Sequence, residues 1–115
     1  MAELDVSERQ AGDVTILDLS GEVRIGDSSV ALRDSIRNLA DKGKTKVLLN
    51  LAGVKYIDST GIGELIASYT TVKRQSGQLK LLKLTDRVQN LLVITKLLTV
   101  FDSYDDEAEA LQTFQ

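Results

Sequence analysis

The chain has 115 residues, 43% of them hydrophobic, with a formal net charge of −3 and neither histidine nor cysteine. That length suits one small domain around one core, and the hydrophobic share is ordinary for a globular protein. Lack of cysteine removes disulfides and thiolate sites, and lack of histidine removes imidazole ligands, phosphohistidine and any Ser-His-Asp triad.

Leu4 to Arg9 and Val14 to Ser20 read as two strands, joined through Ala11-Gly12-Asp13 as a hairpin. In the second strand Val14 and Ile16 face one way, Leu17 and Leu19 the other, which is the pattern of a strand covered on both sides. Gly21 and Gly26 bracket a loop. Asp27 or Ser28 then caps a helix running to about Lys42, with Leu32, Ile36 and Leu39 as its apolar stripe and Gly43 as its end. Lys46 to Leu51 is a compact buried strand. A second helix carries Ile62, Leu65, Ile66, Tyr69 and Val72 at helical spacing and ends near Gly77. Gln78 to Leu84 is another strand. Thr85 or Asp86 caps a third helix, with Val88, Leu91 and Leu92 inward. Val100 to Tyr104 forms a short last strand, and Asp105 opens a C-terminal helix with Ala108, Leu111 and Phe114 inward. Strands and helices that alternate after an opening hairpin predict a mostly parallel sheet with right-handed crossovers.

The junction Asp58-Ser59-Thr60-Gly61-Ile62-Gly63 lies between an apolar strand and the second helix. Aspartate, serine and threonine cap helices, so capping alone accounts for a polar run at such a place. Two features go beyond it. Three candidate caps stand in a row, with no Glu or Gln three positions on to complete a capping box. Two glycines then occupy the opening turn, where each costs about 1 kcal/mol relative to alanine. Those glycines fit either tight packing against a neighbouring strand or a surface kept low, so that another protein can reach the hydroxyls.

The stretch Tyr56-Ile57-Asp58-Ser59-Thr60-Gly61-Ile62-Gly63 resembles the signature of STAS domains, specifically the bacterial anti-sigma factor antagonists. The likeness extends to the opening hairpin, to Gly21-Glu22 closing the second strand, to the buried strand before the signature and to Leu97-Leu98-Thr99-Val100-Phe101. It implies an α/β fold over residues 1–115: one STAS-like domain with a four- to five-stranded mixed β-sheet and about four helices. It also implies an anti-sigma factor antagonist. Such a protein binds an anti-sigma factor that is itself a serine kinase, so freeing a sigma factor, and is released when phosphorylated. By position Ser59 is the phosphate acceptor and Thr60 the second choice. Asp58, Ser59, Thr60, Gly61 and Gly63 shape the partner-binding surface, together with Arg24 and Asp27 of the nearby loop. The implied partners are the kinase and a serine phosphatase. The implied molecule is a monomer without catalytic residues, metal or cofactor, located in the cytoplasm. One departure stands out: family members often carry an acid soon after the Gly-Glu pair, and here Arg24 stands there while Asp27 comes later. Arg24 is then either an exposed loop arginine or a group that pairs with the phosphate.

Two other readings stand beside this one. One is a STAS module of another system, either a stress-signalling scaffold or a subunit of a lipid-transport complex. The other is a small enzyme built on Asp58, Glu64 and Glu22. Nucleic acid is not an expected partner, because neither a basic face nor stacking aromatics are apparent. The segment Lys42-Gly43-Lys44-Thr45-Lys46 reads as a solvated loop, and Asp102, Asp105, Asp106 and Glu107 fit no calcium-loop spacing. No apolar run approaches the roughly 20 residues of a membrane span, and Met1-Ala2-Glu3-Leu4-Asp5 lacks a signal pattern.

Overall fold

The computed structural model describes residues 4–114, so the first three positions of the acidic opening lie outside the described residues. Five strands form one sheet in the order β1-β2-β3-β4-β5. The strands are β1 (Leu4–Ala11), β2 (Val14–Val23), β3 (Lys46–Ile57), β4 (Gln78–Leu82) and β5 (Ser103–Tyr104). The β1–β2 pair is antiparallel and the other pairs are parallel. The helices are α1 (Asp27–Asp41), α2 (Ser59–Arg74), α3 (Asp86–Ile94) and α4 (Glu107–Gln112). This is the mixed α/β sheet that the alternation predicts.

Strand order follows chain order from β2 to β5. Successive right-handed crossovers therefore put α1, α2 and α3 on the same face of the sheet. Their inward side chains, among them Leu32, Ile36, Leu65, Val88 and Leu92, meet Leu17, Leu19, Leu49 and Leu81 in the main core. The smaller α4 covers the opposite face, where Ala110 packs with Val14, Ile16, Leu48 and Leu82. The two faces of β2 are divided between these clusters as its pattern predicts. Each fully buried leucine contributes about 1.5–3 kcal/mol relative to leaving it in water.

Several boundaries differ from the sequence reading. β3 runs six residues past Leu51, to Ile57. Its continuation needs Gly53: a Cβ there would stand 2.9 Å from the Leu19 carbonyl oxygen, beside an irregularity in the β2–β3 register. β4 stops at Leu82 because Lys83 turns to a φ of 56°. Val100 is not in the last strand, since residues 98–100 form a single 3-10 turn and β5 is only two residues long. Neither Asp27 nor Ser28 caps α1. Gly26 holds that position without a side-chain bond, and the Ser28 hydroxyl instead both accepts from the Arg24 amide and donates to the Arg24 carbonyl, each at 2.9 Å. In α4 the cap is Asp106 rather than Asp105, so the helix starts later. That places Ala110 in the core and leaves Ala108 exposed, while Leu111 and Phe114 pack as expected.

Candidate functional site

β3 delivers the chain to the carboxyl end of the sheet, where open α/β sheets present their functional loops. Of the polar run Asp58-Ser59-Thr60, Asp58 is the cap. Its extended backbone lets Oδ1 accept from the Gly61 amide at 2.8 Å, and Oδ2 reaches the Ile25 amide at 3.1 Å. One carboxylate thus closes the first turn of α2 and ties down the loop between β2 and α1. Ser59 follows as the first residue of α2. It is exposed, and its hydroxyl makes no hydrogen bond among the described residues. Thr60 is half-buried beside it.

The two glycines divide the roles that the sequence leaves open. Gly61 is buried, and a Cβ on it would collide with the Val23 carbonyl oxygen and the Ile57 side chain. Its use is close packing of α2 on the ends of β2 and β3. Gly63 is exposed with nothing within 4 Å of a Cβ position, so it leaves a low patch one turn from Ser59.

Arg24 is not a free loop arginine. Its Nη2 lies 2.7 Å from Glu22 Oε1, its guanidinium carbon sits 4.5 Å from the Tyr56 ring centre, and its Nε is buried without a hydrogen-bond partner. Asp27, by contrast, is exposed at the start of α1.

The three acids of the enzyme reading do not converge. Glu22 is paired with Arg24, and Asp58 is engaged by two backbone amides. Glu64 is 8% exposed and receives Arg33 of α1 at 2.5 Å, which raises the affinity of that guanidinium for its proton. A cleft of about 530 Å³ does open beside the junction. It is lined by Tyr56, Asp58, Ser59, Arg87, Asn90 and Ile94 among others, and Asp58 is the only acid among the described residues that line it. Ile94 in its lining is 74% exposed, as is Ile25, whose backbone amide bonds Asp58.

Arg87, Asn90 and Ile94 escape the sequence reading, because they lie on α3, roughly 30 positions from the junction, and only the β3–β4 pairing brings α3 alongside. The available signal was Ile94, an isoleucine off the inward stripe of Val88, Leu91 and Leu92. Tyr56 stands in the quoted signature, but its role as a stacking platform shows only in three dimensions.

A STAS domain model matches residues 5–110. The chain belongs to the STAS domain family. The anti-sigma-B factor antagonist of Bacillus subtilis (strain 168) is 32% identical over 99 residues, covering 86% of this STAS chain and 89% of that protein. An anti-sigma factor antagonist from Mycobacterium paratuberculosis superposes with a TM-score of 0.82 at 20% identity, over 96% of this chain and 93% of that one. The Bacillus cell fate determinant SpoIIAA in its phosphorylated form gives a TM-score of 0.73 at 17% identity, over 94% and 97% of the two chains. These last two likenesses carry the fold. No helix among the described residues of this STAS chain is long and apolar enough to cross a membrane.

Proposed function

We propose that this STAS protein is an anti-sigma factor antagonist whose binding state is set by a phosphate on Ser59. One observation carries the reading: Asp58 does the capping, so the neighbouring Ser59 hydroxyl is exposed and uncommitted at the rim of a cleft. The sequence likeness to an anti-sigma-B factor antagonist gives the chemistry its setting. In this reading the anti-sigma factor is also the kinase. Ser59 Oγ takes the γ-phosphoryl group of ATP, ADP leaves, and the hydroxyl proton passes to a base of the kinase, which also supplies magnesium. A separate phosphatase returns the serine, with water as the acceptor of the phosphoryl group.

In the unmodified form the anti-sigma factor docks over Ser59, Thr60 and the low patch at Gly63, flanked by the exposed Ile25 and Ile94. A phosphoserine adds about −1.5 to −2 charges at neutral pH. A docked partner would strip water from that group, and desolvating a charge without full compensation costs several kcal/mol. About 4 kcal/mol weakens binding roughly a thousandfold. The switch therefore works at an otherwise unchanged surface.

Peptide mapping of the protein purified from its native cells should find phosphate on Ser59. Ser59→Ala should keep the fold and full affinity for the anti-sigma factor, whereas Ser59→Asp should weaken it. If both variants bind a confirmed anti-sigma factor like the wild type, and no phosphate is found on Ser59, the reading fails.

A further inference from the structure

Two arginines approach the Tyr56 ring, with guanidinium carbons 4.5 Å (Arg24) and 4.3 Å (Arg87) from its centre. They differ in what else they touch. Arg24 is neutralised by Glu22. Arg87 makes no ion pair and no hydrogen bond among the described residues, and it lines the same cleft as Ser59. Stacking uses the flat face of a guanidinium and leaves its N–H donors, which lie in the plane, directed outward from the rim. It also holds a long side chain in place before any ligand arrives, so less rotamer freedom is lost when one binds.

We propose that Arg87 is the counter-ion of phosphorylated Ser59, closing over the phosphate within the same molecule. The proposal rests on the reading of Ser59 given above. Asp58, the one acid among the described residues that line the cleft, accepts from the Gly61 and Ile25 amides and makes no ion pair with Arg87. A phosphate on Ser59 meets in Arg87 a planar donor set suited to two parallel N–H···O bonds. Arg24, the other cation at this ring, keeps its bond to Glu22. The clasp gives the switch a second component. The unmodified protein offers an unpaired guanidinium on its docking surface. The phosphorylated protein has that cation occupied and still carries net negative charge at the rim. A partner that presents a carboxylate to Arg87 therefore loses an attraction and gains a repulsion together.

The test uses full-length protein with phosphoserine installed at position 59 during translation, so no kinase is needed. The phosphate's second ionisation is followed by phosphorus NMR. Pairing with Arg87 favours the dianion, so the wild-type midpoint should lie about half a pH unit or more below that of Arg87→Gln. Arg87→Lys should recover part of the shift. Arg74→Gln removes the same charge at the far end of α2 and should leave the midpoint at the wild-type value. Equal midpoints for wild type and Arg87→Gln would overturn the clasp, as would an equal shift from Arg74→Gln. A null result here condemns the clasp alone. Absence of Ser59 phosphorylation in cells condemns the functional reading instead.

Discussion

Asp58 grips Ile25 across 33 positions of chain, carboxylate oxygen to backbone amide, while its other oxygen caps α2 at Gly61. One side chain thus sets both the start of the helix that carries Ser59 and the height of the loop beside it. Asp58→Ala should cost about 1–2 kcal/mol of stability through the lost cap and loop bond. Asp58→Asn should cost less, because its amide oxygen still caps while its NH2 cannot accept from Ile25. Urea unfolding of the two variants checks this ranking, and an Asn variant as weak as the Ala variant would contradict the double role.

The two glycines of the opening turn should respond in opposite directions. Gly61→Ala drives a methyl group into the Val23 carbonyl and should destabilise by about 1–3 kcal/mol. Gly63→Ala meets nothing and should stabilise α2 by about 0.5–1 kcal/mol. Denaturant midpoints decide the matter. A destabilised Gly63→Ala protein would mean that the surface there is not open.

Acid should loosen the face of the sheet that α4 covers. Arg9 bonds Asp18 at 2.6 Å and Glu107 at 2.7 Å, and Asn50 also donates to Asp18, linking the hairpin to the start of α4. The hydrogen bonds from Arg9 hold both carboxyl groups below the usual carboxylate range. A carboxyl whose folded pKa is depressed contributes stability above its unfolded value, near pH 4, and loses it as pH falls toward the folded value. All three side chains are partly solvated, so the contribution is no more than about 1 kcal/mol. Unfolding free energy should therefore drop below about pH 4 in the wild type. The drop should be shallower in Arg9→Gln, measured by denaturation at a series of pH values. Parallel curves would remove the network from the account.

Ile94 is 74% exposed at the end of α3, beside the cleft. Ile94→Asp should change stability by less than about 0.5 kcal/mol, as surface substitutions do. If the anti-sigma factor docks where proposed, the same change should weaken its binding at least about tenfold, a loss of about 1.4 kcal/mol. Calorimetric titration reads this directly, and undiminished affinity would move the docking surface away from α3.

Much of the architecture is legible in the chain itself. Leu32, Ile36 and Leu39 at helical spacing, and the opposed faces of Val14–Leu19, are local patterns. A local pattern suffices because burial of one stripe or one face is what forms the element. The ends of elements were harder to read. Whether β3 stops at Leu51 or reaches Ile57 depends on how closely Gly53 lets β2 approach, which is a distance between strands. The helix caps show the same limit. Asp58 and Thr85 cap from within their own segments, but Ser28 was drawn off by the Arg24 backbone, a competitor that only the folded loop supplies.

For the candidate site, the order of residues 56–63 was enough to place an acid, two hydroxyls and two glycines where a strand hands over to a helix, because that chemistry is contiguous. It was not enough to say which oxygen caps and which is left free, which glycine is packed and which is open, or that Arg24 is held by Glu22 and Tyr56. Those depend on the Ile25 loop, the end of β2 and α3, which are distant in the chain. They come together at the carboxyl edge of the sheet because parallel strands with crossovers on one face leave no other place for them.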